Sequence, residues 1–385
     1  MSLKYIYLDN AATSFPKPPC VIESVHTYLT QIGSSPARSA HSLSIASGQI
    51  LYEARFSLAK LLGQEREERI IFGANATAML NAAIYGVIGV GDKVVSTNLE
   101  HNSVMRPLMH LSSTRHIKLT QIPATPTCTL NLSCLESALK GAKVCVCVYA
   151  NNVSGAVLPI RDIYALCLKH NVIFILDASQ AVGHLPLRAD DADIICASCH
   201  KGLYAPSALG FMSLNPSFDE ARLQSFMQGG SGSKSEESLQ PAFLPDKYES
   251  GTPNMCAIAG LKAGLEWIEQ NGGIEALHTY EMSLYKRLYW GLSECDNVIL
   301  YSIESKQCVG NVSFNIKGKS PKEVGLMLDR EFGILTRAGL HCSPLTHKSM
   351  GSFELGGSVR LSVGAFNSIE EIDYTLQAVA SLAKS

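Results

Sequence analysis

Val172-Ile173-Phe174-Ile175-Leu176-Asp177-Ala178-Ser179-Gln180 and, further on, Asp193-Ile194-Ile195-Cys196-Ala197-Ser198-Cys199-His200-Lys201 decide the fold. Each stretch is a short apolar run that ends on residues able to do chemistry. A run of that length bounded by small polar residues reads as a strand buried on both faces. Asp177 and Lys201 lie 201 − 177 = 24 residues apart. That is room for one helix-plus-strand unit, which brings both residues to the same edge of a parallel sheet. Functional groups of such sheets gather at the carboxyl ends of the strands.

The same rhythm extends outward. Further β-branched runs lie at 69–72, 93–97, 117–122 and 144–149, and apolar residues recur at helical spacing over 76–87 and 160–169. This alternation predicts an α/β fold with a mostly parallel sheet. The charge-free stretch 70–91 carries Asn75, Thr77, Asn81 and four glycines, so it reads as strand, turn and helix, not as a membrane span. Near Gln228 the pattern breaks into Gly229-Gly230-Ser231-Gly232-Ser233-Lys234-Ser235, read as a loop within or beside a site. Helical patterns over 258–270 and 275–292 follow. Segments 309–315, 322–332, 359–363 and 369–382 then predict a smaller α/β unit.

Composition removes several classes of function. Apolar residues make up 46% of the 385, so a large core is available, and charged residues only 17%. With 32 basic against 34 acidic residues, and no run of either sign, nucleic acid and anionic membrane are not expected as partners. The segment Met1-Ser2-Leu3-Lys4-Tyr5 lacks the pattern of an export signal, so the expected location is the cytoplasm. There the 12 cysteines are expected as free thiols.

Cys196-Ala197-Ser198-Cys199-His200 fits C-x-x-C-H, a haem-attachment or zinc half-site pattern, and a metal- or sulfur-carrying protein using Cys196, Cys199 and His200 is one alternative. A structural zinc site needs a second ligand pair, and the chain has no other C-x-x-C, so no metal is expected. Cys145 and Cys147 share one strand face and read as buried thiols. Lys201 alone could be a solvated residue. Paired with Asp177 across one sheet edge it suggests pyridoxal 5'-phosphate: the lysine amine forms a Schiff base and the carboxylate keeps the pyridine nitrogen protonated. Asn75-Ala76-Thr77, where a strand turns into a helix, could present N–H groups and a hydroxyl to the phosphate. Asn75 could equally be an ordinary helix cap.

From Tyr7-Leu8-Asp9-Asn10-Ala11-Ala12 to Phe366-Asn367 the sequence resembles the cysteine desulfurases and selenocysteine lyases of the class V aminotransferase fold, nearest the SufS-like short-loop group. The resemblance implies fold type I: a large domain, 15–257, with a seven-stranded mostly parallel sheet, and a small α/β domain from 1–14 and 258–385. It implies that Lys201 carries the cofactor and that Ser198, His200, Thr77 and Ala76 surround its phosphate. His101 would stack on the ring, Gln180 would reach its phenolic oxygen, and Asn152 would stand beside cofactor and substrate. Arg360 would clamp the substrate carboxylate as a bidentate fork, although alone it could be a salt-bridged strand residue. His41 would line the substrate pocket. Thr252, in Glu249-Ser250-Gly251-Thr252-Pro253-Asn254, would reach the partner's phosphate across a homodimer.

The segment Arg337-Ala338-Gly339-Leu340-His341-Cys342-Ser343-Pro344 decides the reaction. A lone loop cysteine is usually incidental, but the resemblance makes Cys342 the nucleophile, and His341 or the cofactor environment is expected to raise its thiolate fraction. L-cysteine would become L-alanine, leaving a persulfide on Cys342. Lys201 would move the α-proton as base and then acid. L-selenocysteine would be a second substrate, and a sulfur- or selenium-acceptor protein a possible partner. Another class V aminotransferase or a β-eliminating lyase is the enzymatic alternative. Four features depart from the family. Asn75-Ala76-Thr77 offers one hydroxyl fewer than the usual phosphate turn, Asp177-Ala178-Ser179-Gln180 stands for Asp-Gly-Ala-Gln, Cys199 replaces a glycine, and the 229–235 loop is Ser-rich.

Overall fold

A computed structural model describes residues 5–36, 39–303 and 308–384. Residues 1–4, part of the N-terminal reading, lie outside the described residues. The first half of the chain runs β1 (Ile6–Tyr7), α1 (Pro19–Thr27), α2 (Ser42–Leu61), β2 (Ile70–Gly73), α3 (Ala76–Val87), β3 (Lys93–Thr97), α4 (Asn102–Thr114), β4 (Lys118–Ile122), α5 (Leu132–Leu139), β5 (Val144–Val148), α6 (Ile160–Lys169), β6 (Ile173–Asp177), β7 (Ile194–Ser198) and β8 (Gly210–Leu214). There follow α7 (Met255–Gln270), α8 (Gly273–Ser293), β9 (Val298–Leu300), β10 (Asn311–Ile316), α9 (Pro321–Phe332), β11 (Ile334–Leu335), β12 (Arg337–Gly339), α10 (Pro344–Met350), β13 (Ser358–Ser362) and α11 (Ile369–Lys384).

Seven strands form the main sheet in the order β2-β8-β7-β6-β5-β3-β4. It is parallel except for β8, which runs against both β2 and β7. Central strands β5, β6, β7 and β8 are buried at every residue, which is why they read as apolar runs without alternation. Period-2 geometry sends their side chains into two cores. Cys145, Cys147, Phe174, Leu176, Ile195 and Ala197 pack in one layer, and Val144, Val146, Ile173, Ile175, Ile194 and Cys196 in the other. A third core joins Leu8 to Leu284, Phe314, Leu328, Leu361 and Val379, around the four-stranded sheet β12-β13-β10-β9. Strand β1 pairs in parallel with β11, tying the N-terminal segment to this unit.

One expectation fails here. The connection from β6 to β7 holds no helix, only turns. Gly183 has φ +83°, and a Cβ there would lie 2.2 Å from the Gly202 carbonyl oxygen, so the chain is pressed against the loop after Lys201 instead of winding away from it. Asp177 and Lys201 still reach the same edge, because β6 and β7 pair in parallel, with Asp177 opposite Cys196. The sheet order reverses between β3 and β5, whose pairing ends at Val95 opposite Cys145. The strands separate beyond that point, opening the crevice where doubly wound sheets bind ligands. Among the described residues no helix is long and apolar enough to cross a membrane.

Candidate active site

The strand ends at that crevice deliver the functional side chains. Asp177 closes β6, Ser198 closes β7 and Lys201 follows it. His101 caps α4 after β3, and Asn152 follows β5. At the same edge Asn75 caps α3, its Oδ1 accepting the Ala78 N–H at 2.9 Å, so the ordinary-cap reading of Asn75 is correct and the residue also faces the cavity. Gly210, opening the antiparallel β8, lets this turn approach. A Cβ there would lie 2.4 Å from the Asn75 carbonyl carbon.

The cavity, open at one side, measures about 230 Å³ and is lined by Ala76, Thr77, His101, Asn152, Asp177, Gln180, Ser198, His200, Lys201, Cys342 and Arg360. Two residues named from the sequence are not among its lining. His41 caps α2, its Nδ1 accepting the Ser44 N–H at 3.2 Å. Thr252 is exposed on the surface of the chain. The 229–235 loop also stays outside the lining.

Lys201 is enclosed by protein, and burial, opposed by Asp177 and reinforced by Arg360 and Arg337, pulls its amine down to about 8. A lysine so tuned deprotonates readily near neutral pH, which suits a nucleophile or general base. The Asp177 carboxylate is positioned by the Ser179 N–H on Oδ1 at 3.0 Å. His101 Nδ1 accepts the Ser103 N–H at 3.0 Å, which assigns the ring proton to Nε2, and burial lowers the imidazole's pKa. Gln180 donates its amide to the Ala11 carbonyl at 2.9 Å.

Several buried polar atoms at the cavity lack a partner. Ser198 Oγ and His200 Nδ1 make no hydrogen bond, and burial, with Lys201 and Lys17 nearby, lowers His200 to about 4. Such atoms are costly unless something fills them. They stand beside the N-terminus of the twelve-residue helix α3, whose first N–H groups face the same space. Thr77 Oγ1 lies 2.7 Å from Ser103 Oγ, and Ser103 also lines the cavity. The hydroxyl missing from the Asn75-Ala76-Thr77 turn is thus present at a position the sequence reading did not name.

Arg360 is the salt-bridged strand residue of its simpler reading, and it also lines the cavity. It is 1% exposed and salt-bridged, its Nη2 2.7 Å from Asp9 Oδ1, with Nη1 donating to the Asn152 carbonyl at 2.9 Å. Its Nε is buried without a partner. Asp9 was missed as a functional residue, though it stands two residues beyond β1 and so at the edge of the C-terminal unit.

Cys342 is exposed at the cavity mouth on a left-handed turn, with φ 49° at His341 and 59° at Cys342. The loop is braced from behind. Asn152 donates to the His341 carbonyl at 2.7 Å and accepts from Ser343 Oγ at 2.7 Å, while the Asn102 N–H holds the Cys342 carbonyl at 2.8 Å. The expectation that His341 raises the thiolate fraction is not met. Burial, together with Arg360, His347 and Arg337, lowers its imidazole to about 2, and its Nε2 faces the Ser358 carbonyl at 3.1 Å. The group beside Cys342 Sγ is Arg337, with Nη2 at 3.8 Å.

The C-x-x-C-H run separates in space. Cys196 packs in one core layer and Cys199 in the other, on opposite faces of the sheet, and burial pushes both thiols up. They cannot act as a ligand pair without taking the sheet apart. Cys145 and Cys147 are buried in the layer that holds Cys167, as their spacing predicts.

Comparison with known proteins gives the family and the fold. Residues 6–375 match the family model described as aminotransferase class V. A probable cysteine desulfurase of Pyrococcus abyssi is 31% identical over 100% of this chain and 96% of its own length. One from Synechocystis is 30% identical over 97% and 90%. The apo structure of a cysteine desulfurase from Thermococcus onnurineus superposes with a TM-score of 0.92 at 31% identity, covering 99% of this chain and 95% of that one.

Proposed function

The chain belongs to the class V aminotransferase family, and from that premise we propose that it is a pyridoxal-phosphate-dependent cysteine desulfurase. The observation that carries the reading is one cavity holding Lys201, Asp177, Arg360 and the exposed thiol of Cys342. Orphaned Ser198 Oγ and His200 Nδ1 beside the start of α3 fit a phosphate, and Asp177 at the strand end fits a pyridine nitrogen. When bound, pyridoxal phosphate supplies an electron sink for the substrate's α-carbon.

The chain's own residues supply the rest. Arg360, held by Asp9 and lining the cavity with its Nε unpartnered, takes the substrate carboxylate, and Asn152 fixes the floor between Arg360 and the Cys342 loop. Lys201 carries the cofactor and moves the α-proton. Cys342 attacks the substrate sulfur: the new S–S bond forms as the Cβ–S bond breaks, and Cβ gains the proton. L-cysteine and the thiol give L-alanine and a Cys342 persulfide. The two sulfurs lose one electron each, and Cβ gains two.

The large domain is taken as 15–257, and 1–14 with 258–385 form the small one. Thr252, exposed on this chain, is free to complete a second protomer's phosphate site in a homodimer. The cytoplasm remains the expected location. L-selenocysteine fits the same site: it would give L-alanine with selenium released as Se(0), the selenium losing the two electrons that Cβ gains, without strict need of Cys342. The test compares alanine release and persulfide on Cys342 in wild type and Cys342→Ala. Pyruvate and sulfide formed from L-cysteine at an unchanged rate without Cys342 would assign a β-eliminating lyase instead.

A further inference from the structure

The peptide carbonyl of His200 adjoins the Lys201 backbone and is surrounded by donors from one remote segment. Lys17 Nζ donates to it at 2.7 Å, Thr13 Oγ1 at 3.1 Å, and Ser14 Oγ and the Ser14 N–H at 3.2 Å each. A carbonyl oxygen offers two lone pairs, so four donors exceed what satisfying it requires. Lys17 has no carboxylate partner among the described residues. Its other contact is Ser14 Oγ at 2.8 Å, and burial pulls its amine down to about 8. A half-buried ammonium is thereby aimed at one carbonyl instead of at solvent. Thr13, Ser14 and Lys17 do not line the cavity.

The segment that carries them is anchored on its other side. Asp9 pairs with Arg360, the Ala11 N–H donates to Ser362 Oγ at 2.9 Å, and Asn10 Nδ2 donates to the Ser362 carbonyl at 3.0 Å. The loop after Lys201 has ties of its own: Cys199 N–H to Leu209, Tyr204 N–H to Lys201, and Ala205 N–H to Cys199, each between 3.0 and 3.1 Å. Those bonds, with the burial of Leu203 and Ala205, hold the loop's two ends, but none of them engages the His200 carbonyl.

The geometry points to Lys17 as a positioning residue. With Thr13 and Ser14 it clamps the His200–Lys201 peptide to the segment that holds Arg360, and so sets where the lysine amine and the His200 ring enter the cavity. The functional meaning rests on Lys201 being the cofactor lysine. Hydrogen bonds to charged donors contribute enough that losing one should loosen the loop measurably.

Lys17→Met keeps the aliphatic stem and removes the donor, and Lys17→Arg keeps a cationic donor. In Lys17→Met, amide hydrogen exchange over 199–205 should speed up about tenfold while α11 is unchanged. With pyridoxal phosphate added, the pH midpoint of its visible absorption should move, and Lys17→Arg should restore both readouts. Exchange at 199–205 equal to wild type overturns the assignment. So does an increase spread evenly over the whole chain, which marks a general stability residue. The exchange comparison needs no cofactor. A wild-type protein that takes up no pyridoxal phosphate therefore sinks the proposed function while exchange still decides on Lys17.

Discussion

At the inner wall of the cavity Asp177, Ser198 and Lys201 stand on the ends of strands buried on both faces, whereas at the outer wall Cys342 rides on an exposed left-handed turn. The inner wall takes its geometry from the sheet ladder and the two core layers. The outer wall takes it from a few side-chain braces: Asn152, Ser343 and the start of α4. Their electrostatics differ as well. On the inner wall the Lys201 amine is drawn down to about 8, while the histidines behind Cys342 stay uncharged, since burial lowers His341 to about 2 and His347 to about 4. Under the proposed function, cofactor chemistry needs fixed atoms, and a thiol that would meet both substrate and an acceptor needs access. The two walls suit those demands.

The largest expected effect tests the inner wall. Lys201→Ala should lower alanine formation by at least about 10⁴-fold and remove the visible band of the covalently held cofactor. Cys342→Ala should lower desulfuration by at least about a hundredfold yet leave that band in place. If the band were lost with Cys342 as well, the two walls would not be separable. Asp9→Asn strips the buried Arg360 of its carboxylate. A stability loss of about 2–3 kcal/mol in denaturant melts, together with a raised KM for cysteine, is expected.

Glu100 sharpens the electrostatic contrast. It is fully buried, accepts from Thr97 Oγ1 at 2.6 Å and the Val148 N–H at 3.1 Å, and leaves Oε2 unpartnered. Burial raises its carboxyl from 4.5 to about 8. The folded state therefore holds a proton that the unfolded state releases, so wild-type stability falls as pH rises from 4.5 to about 8. Glu100→Gln should remove that decline, up to about 1.4 kcal/mol per pH unit, in denaturation measured across the window. A pH slope unchanged by the substitution would mean the inner wall is no more pH-sensitive than the outer. The smallest effect is one of labelling. Brief alkylation should mark the exposed Cys342 and Cys134 ahead of the other ten thiols, as read by peptide mass.

The inner wall was the legible one. Apolar runs ending in Asp177 and Ser198 mark their strands directly, because full burial leaves no other residue types there. The lysine's place followed from chain arithmetic, although the intervening segment proved to be turns wedged by Gly183. Asp9, Ser103 and Arg337 were not legible, since each meets its partner only through tertiary pairing. Asp9 reaches Arg360 across 351 residues of sequence, and Ser103 reaches Thr77 by the packing of α3 against α4. His341 misled for the opposite reason. Sequence adjacency to Cys342 suggested contact, but two consecutive left-handed residues turn its ring into the core.

The tie between Asp9 and Arg360 also sets a timetable. At ordinary synthesis rates of about 5–20 residues per second, Arg360 leaves the ribosome roughly 18–70 s after Asp9. The seven-stranded sheet, complete by Leu214, can form while that wait runs. Asp9, with Asn10 and Ala11, finds its partners only when β13 arrives. A nascent chain can thus complete the sheet whose strand β7 leads to Lys201 well before it has Arg360, the residue proposed to take the substrate carboxylate.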